Sequence, residues 1–205
     1  MFFIYSLITK VNMKLENIPS KDFRRYNKKT CVGFRSSWES ICGRTTWFRW
    51  EKGECSILSN MYPCRMEHEG LVFHSVEQMF HYYIYSNLSE AQNLIMQTTD
   101  GKEVKEISKR YKEPDLPLKD RVNLLLMCLE CKYKSCPEFR NKLKDTQDFP
   151  IVEVTTWWDV EYGTIDGVKL KNAQFNGEYV GDSFLGMNVT GRCIMQIREN
   201  HRNES

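Results

Sequence analysis

Between Ser75 and Lys144 the chain is punctuated for helices, and this punctuation narrows the possible folds more than any other feature of the sequence. Ser75-Val-Glu-Gln78 is a capping box, in which the serine caps a helix start and Gln78 reaches back to it. The helix that follows carries Glu77, Phe80, His81 and Ile84 at i, i+3, i+4 and i+7, so these four share one face. Ser89-Glu-Ala-Gln92 opens a second helix by the same logic. Asp100-Gly-Lys-Glu103 opens a third, running to about Tyr111 and stopped by Pro114 and Pro117. A long apolar helix covers roughly Leu118 to Lys134, and Pro137 occupies the first position of a helix over 137–144.

The strands are short and flank these helices. Thr46-Trp-Phe-Arg-Trp50 reads as a strand from its β-branched and aromatic residues. Arg65 to Phe73 reads as a hairpin turning near Glu69-Gly70. Pro150-Ile-Val-Glu-Val-Thr-Thr156 is a strand by β-branched content. Gly163, Gly167, Gly177 and Gly181 mark hairpin and loop, and a last helix runs from about Thr190 to Asn200. Five or six helices with a few short strands give an α+β class, predominantly helical, as a single compact domain. The regular βαβ alternation of a doubly wound fold is absent. The domain is expected over 46–200, with an N-terminal extension over 1–45 and a tail over 201–205.

Composition supports a globular chain: 41% apolar and 27% charged residues exclude disordered, collagen-like and coiled-coil classes. The balance of 29 basic against 27 acidic residues excludes a wholesale electrostatic nucleic-acid binder. Residues 21–44 are the exception, with Lys21, Arg24, Arg25, Lys28, Lys29, Arg35 and Arg44 facing only Asp22 and Glu39. This segment reads as a solvated extension packed by Trp38, with an arm on a phosphate backbone as the alternative. The apolar run Met1 to Thr9 is shorter than the roughly 20 residues a bilayer requires, and it lacks the basic start of a signal peptide. Met13 is an alternative start to Met1. The expected location is cytoplasmic, without membrane contact.

Eight cysteines in a charged chain without a secretory signal are expected to be reduced thiols. Cys128-Leu-Glu-Cys131 has the spacing of a zinc knuckle. It lies inside an apolar helix with no second CxxC or HxxxH, so it reads as core packing. P-loop, dinucleotide, nucleophile-elbow and HExxH signatures are absent from the sequence.

Four segments remain that can carry chemistry: Leu58-Ser-Asn-Met-Tyr-Pro63, Glu77 near a helix start, Trp157-Trp-Asp-Val-Glu-Tyr-Gly163, and Gly186-Met-Asn-Val-Thr-Gly191. Aromatic faces with a few amides and carboxylates suit a nucleobase and its sugar, and the helix start at Gly191 suits phosphate oxygens. Taken singly, each has a plainer reading. Trp157 and Trp158 are core or rim residues, Glu77 is a favourable helix-start charge, Asn188 is an N-cap, and His74 and His81 are packed histidines.

Together and in this order, the segments resemble the NADAR family, also called YbiA-like. The match rests on Leu58 to Pro63, Ser75-Val-Glu-Gln-Met-Phe80, Val104-Lys-Glu-Ile-Ser-Lys109, Ile151 to Gly163 and Gly186-Met-Asn-Val-Thr-Gly-Arg-Cys-Ile-Met-Gln-Ile-Arg198, from about Trp47 to Arg198. The resemblance implies a compact, mostly helical domain that hydrolyses an N-glycosidic bond or binds ADP-ribose-like nucleotides. Some relatives resemble enzymes that remove ADP-ribose from guanine bases, and others cleave the ribosyl–amine bond of early riboflavin intermediates. Many relatives place a lysine two turns after the helix glutamate, where this chain has Ile84. Tyr162 stands where many have tryptophan.

On this reading Glu77 activates water or stabilises developing charge, and Asp159 is the second acid/base or a ribose acceptor. Lys105 is the amine expected near the ligand, with Lys132 the other matched lysine. Ser59, Asn60, Gly186, Asn188 and Gly191 would hold sugar or phosphate, and Trp158 and Tyr162 would stack on the base. The scheme calls for no metal and no other cofactor. The implied partners are ADP-ribose or a ribosyl-nucleobase substrate, and DNA or RNA gripped through Lys21 to Arg44. A non-catalytic nucleotide-binding module, motivated by Ile84, and a riboflavin-intermediate N-glycosidase are the alternatives.

Overall fold

The computed structural model describes residues 23–35, 55–112, 114–155, 159–170 and 173–203. In chain order the elements are β1 (Arg24–Asn27), β2 (Val32–Phe34), β3 (Met66–His68), β4 (Leu71–Phe73), α1 (Val76–Ile84), α2 (Ser89–Gln97), α3 (Gly101–Ser108), α4 (Leu118–Ser135), α5 (Pro137–Asp145), β5 (Ile151–Glu153), β6 (Ile165–Asp166), β7 (Gln174–Phe175), β8 (Glu178–Tyr179), β9 (Ser183–Gly186) and α6 (Val189–Asn200). The architecture is α+β with short strands, as the helix punctuation requires. The expected strand at Thr46 to Trp50 and the run Met1 to Thr9 lie outside the described residues. Among the described residues, no helix is long and apolar enough to cross a membrane.

The chain forms two compact units. One holds the described residues of 60–140, and the other the described residues of 23–59 and 141–203. The first is helical. Its β3–β4 hairpin turns on Glu69 and Gly70, both in the left-handed region (φ 50° and 78°), as a two-residue turn matched to strand twist requires. Ser75 Oγ accepts the Gln78 N–H at 3.1 Å and starts α1. Gln78 departs from the capping-box expectation: its Oε1 reaches the N–H of His74, one residue further back, at 2.6 Å. Its Nε2 donates to Ile95 and Thr98 carbonyls at 3.0 and 2.6 Å, closing the end of α2. Ser89 is the first residue of α2 and not its cap, since Leu88 holds that position without a side-chain bond. The third helix ends at Ser108, short of Tyr111, where the chain tightens into i→i+3 turns. Helix α1 packs against α2, α3, α4 and β4, burying Val76, Met79, Phe80, Tyr83 and Ile84.

The second unit is built on a three-stranded antiparallel sheet ordered β1-β9-β6 and a parallel β2–β5 pair. Successive residues of β9 face opposite sides of the sheet. Phe184 joins Tyr26, Cys31 and Val152 in one apolar cluster, while Leu185 joins Ile165 and Val180 in another. Two strands of this unit therefore come from residues 24–34, within the segment read as an extension. Arg25 of that segment pairs with Glu178 and Asp182. Lys28 Nζ sits 2.6 Å from both Asp166 Oδ1 and the Gly181 carbonyl.

Candidate active site

The first unit brings together three of the residues expected at the site, Asn60, Glu77 and Lys105, and adds His81. The loop before the hairpin delivers Asn60, whose carbonyl accepts the Glu77 N–H at 2.9 Å and so occupies one of the free amides at the start of α1. The Asn60 Oδ1 atom is shielded from solvent and has no hydrogen-bond partner among the described residues. A buried acceptor left unmade costs about 1–3 kcal/mol, so this atom suits a ligand donor.

Glu77 Oε1 lies 3.2 Å from His81 Nε2, one helical turn on, and the two side chains are only 13% and 15% exposed. Burial pushes the Glu77 carboxyl up. The hydrogen bond and charge of His81, with the charge of Lys105 on α3, outweigh this and hold it below its ordinary value. The result is a largely buried carboxylate kept ionised by two basic neighbours. His81 reads from sequence as a packed histidine. Its spacing four residues from Glu77 on one helix face was the available signal.

Lys132, the other lysine matched in the sequence, is fully buried in α4. Its Nζ is 4.7 Å from the centre of the Phe139 ring and 5.7 Å from that of Tyr62. Burial pushes its amine down to about 8, against an upward pull from Cys64 and Cys136. The Cys128–Cys131 pair is buried in the same helix, and burial drives both thiols up. Among the described residues, no group of three or more His, Cys, Asp or Glu could hold a metal ion.

The remaining expected residues belong to the second unit, apart from Trp158, which lies outside the described residues. Asp159 is exposed, and its Oδ1 accepts the Tyr162 N–H, three residues on, at 3.1 Å, a local side-chain-to-backbone bond. Ser59 is fully buried. Asn188, also fully buried, sits in the left-handed region at φ 53°. Its Oδ1 accepts the Glu153 N–H at 3.0 Å and its Nδ2 donates to the Ile151 carbonyl at 2.8 Å, so the amide ties α6 to β5. The N–H groups of Met187, Asn188, Val189 and Thr190 donate to the carbonyls of Val160, Gly163, Glu161 and Tyr162. The first two amides of α6 are thus occupied by backbone and not open to phosphate. Gly191 allows α6 to lie close against β5, because a Cβ there would run into the Ile151 carbonyl. Gly186 likewise allows the close approach of the Gly163 carbonyl, which a Cβ there would run into. Arg198 binds Thr146 Oγ1 and the Phe149 carbonyl, pinning the turn before β5. Sequence reasoning did not single out Glu153, a carboxylate buried at 5% exposure in β5, although it lies within the Ile151 to Gly163 segment.

Comparison with known proteins agrees with this fold. The solution structure of the Escherichia coli protein YbiA is similar, with a TM-score of 0.58 at 16% sequence identity over 86% of this chain and 87% of that one. No curated protein matches the sequence. The family described as the NADAR domain matches residues 47–202, which span the whole of the first unit's described residues and most of the second's. With the match covering about three quarters of its length, the chain belongs to the NADAR family.

Proposed function

We propose that the protein hydrolyses an N-glycosidic bond to ribose, with ADP-ribose on a guanine base as the leading substrate. The observation that carries this reading is the buried Glu77 carboxylate, held ionised by His81 and Lys105, on a helix start whose Glu77 N–H is bound by the backbone carbonyl of Asn60. Cleavage of the C1′–N bond develops positive charge on the sugar, and a fixed anion stabilises that state more than it stabilises the ground state. Water adds at C1′, the bond to nitrogen breaks, and the departing nitrogen takes the proton. Glu77 supplies the anion or accepts the proton from the attacking water. Such help is worth about 10²–10⁴-fold. Lys105 is the amine next to this carboxylate, where the resemblance implies that relatives carry a lysine at the position of Ile84.

The test is incubation with a DNA oligonucleotide bearing ADP-ribosylated guanine, and separately with a riboflavin-pathway ribosylamine. Released ADP-ribose or ribose phosphate is followed by mass spectrometry, with Glu77→Gln beside the wild type. Release from the oligonucleotide that Glu77→Gln abolishes supports the reading. Release from the ribosylamine alone moves the substrate to a small metabolite. The presence of Ile84 favours a second reading, a nucleotide-binding module. Absence of release from either substrate, with ADP-ribose still binding, would establish that reading and overturn the first. Asp159→Asn, assayed on the same substrates, tells whether the second carboxylate takes part.

A further inference from the structure

We propose that His81 is the positioning residue that commits Glu77 to act as a carboxylate and not as a carboxylic acid. This rests on the function proposed for Glu77 and specifies its role there. A glutamate in such a site has two opposite uses. As an acid it donates a proton to the leaving nitrogen, and as an anion it faces the developing charge or takes a proton from water.

The geometry favours the second use. An ionised carboxylate can only accept, so the 3.2 Å contact makes His81 Nε2 the donor. The ring has little freedom to leave this contact. It lies nearly parallel to Tyr85 (18° between planes, 6.3 Å between centres) and edge-on to Phe80 (86°, 5.7 Å). The other ring nitrogen, Nδ1, is shielded from solvent and has no hydrogen-bond partner among the described residues. Nothing else on the imidazole competes with Glu77 for its orientation. Among the elements packed against α1, α3 brings the Lys105 charge to the carboxylate, while α2, α4 and β4 bring no charged group to it among the described residues. Both basic neighbours favour the ionised form, in agreement with the downward shift of Glu77. A histidine serving only to pack would need neither the Nε2 contact nor the shared burial.

The first arm of the test is the pH dependence of kcat in the wild type. Loss of activity on the acidic side, as Glu77 takes up a proton, is expected. Loss on the alkaline side of the Glu77 titration would overturn the proposal. The second arm compares His81→Gln, which keeps a donor without a charge, with His81→Leu, which keeps bulk without a donor. Expected is a fall in kcat on the order of 10²-fold for His81→Leu, partial rescue by His81→Gln, little change in KM, and an acidic limb displaced upward in both. Unchanged profiles in both variants would reduce His81 to packing.

The third arm needs no substrate: the Glu77 side-chain carboxyl is titrated by carbon NMR in wild type and His81→Gln. An upward move in the variant supports the proposal even if neither substrate is cleaved, which separates it from the hydrolase reading. An unmoved titration overturns it. Should both variants fail to fold, the wild-type profile and the wild-type Glu77 titration against the ordinary carboxylate value decide.

Discussion

At Asn188 the chain takes a left-handed turn and both ends of one side-chain amide bind the backbone of β5. Asn188→Ala strands a buried N–H and a buried carbonyl, each worth about 1–3 kcal/mol, and asks alanine to adopt positive φ. Urea denaturation should show a loss of about 2–6 kcal/mol, with ligand affinity of the folded fraction unchanged. A fall in affinity at full stability would return Asn188 to the ligand. Lys132 behaves in the opposite sense. Its folded-state value of about 8 lies below the ordinary 10.5, so the unfolded chain binds more protons and stability rises as pH climbs from 8 towards 10.5. Lys132→Met should therefore stabilise the protein below pH 8 by on the order of 3 kcal/mol. The advantage should shrink through that window, read from denaturation midpoints at pH 7 and pH 9.5.

At the scale of elements, Gln78 joins the start of α1 to the end of α2 through three bonds to the main chain. Gln78→Leu removes all three from a residue that is 1% exposed. The expected cost is about 3 kcal/mol, with hydrogen-exchange protection lost first at Ile95 to Thr98. The position of this helix was legible in the sequence because capping chemistry is local: Ser75, Asp100 and Pro137 act where they were expected to. The destination of the Gln78 amide was not, because Ile95 and Thr98 come within reach only after α2 has folded back. The same division runs through the candidate site. Glu77 and His81 stand four residues apart on one helix, so their meeting follows from helix period alone. The engagement of Asn188 with β5 depends on the approach permitted by Gly191, a contact 37 residues long in sequence for Nδ2 and Ile151. Composition and spacing do not encode such an approach, so from sequence Asn188 read as an N-cap or a ligand residue and not as a tie to β5.

At the scale of the whole molecule, the family match starts at residue 47 while β1 and β2 lie before it. A chain beginning at residue 46 would lose Tyr26 and Cys31 from a buried cluster and bare the hydrogen-bonding edges of β9 and β5. It should aggregate or lose exchange protection at Ile151 to Glu153 and Ser183 to Gly186, since an unpaired apolar strand edge is a template for association. Retained protection there would show that these strands are dispensable. The crossing of residues 160–163 over the start of α6 reaches further than stability. Four consecutive amides and one glycine, Gly186, are committed to it. A side chain added at Gly186 would dismantle this scaffold whether or not the protein turns over a substrate. The start of α6 is thus held in place by the fold itself, and nothing in its geometry distinguishes a chain that turns over a substrate from one that only binds it.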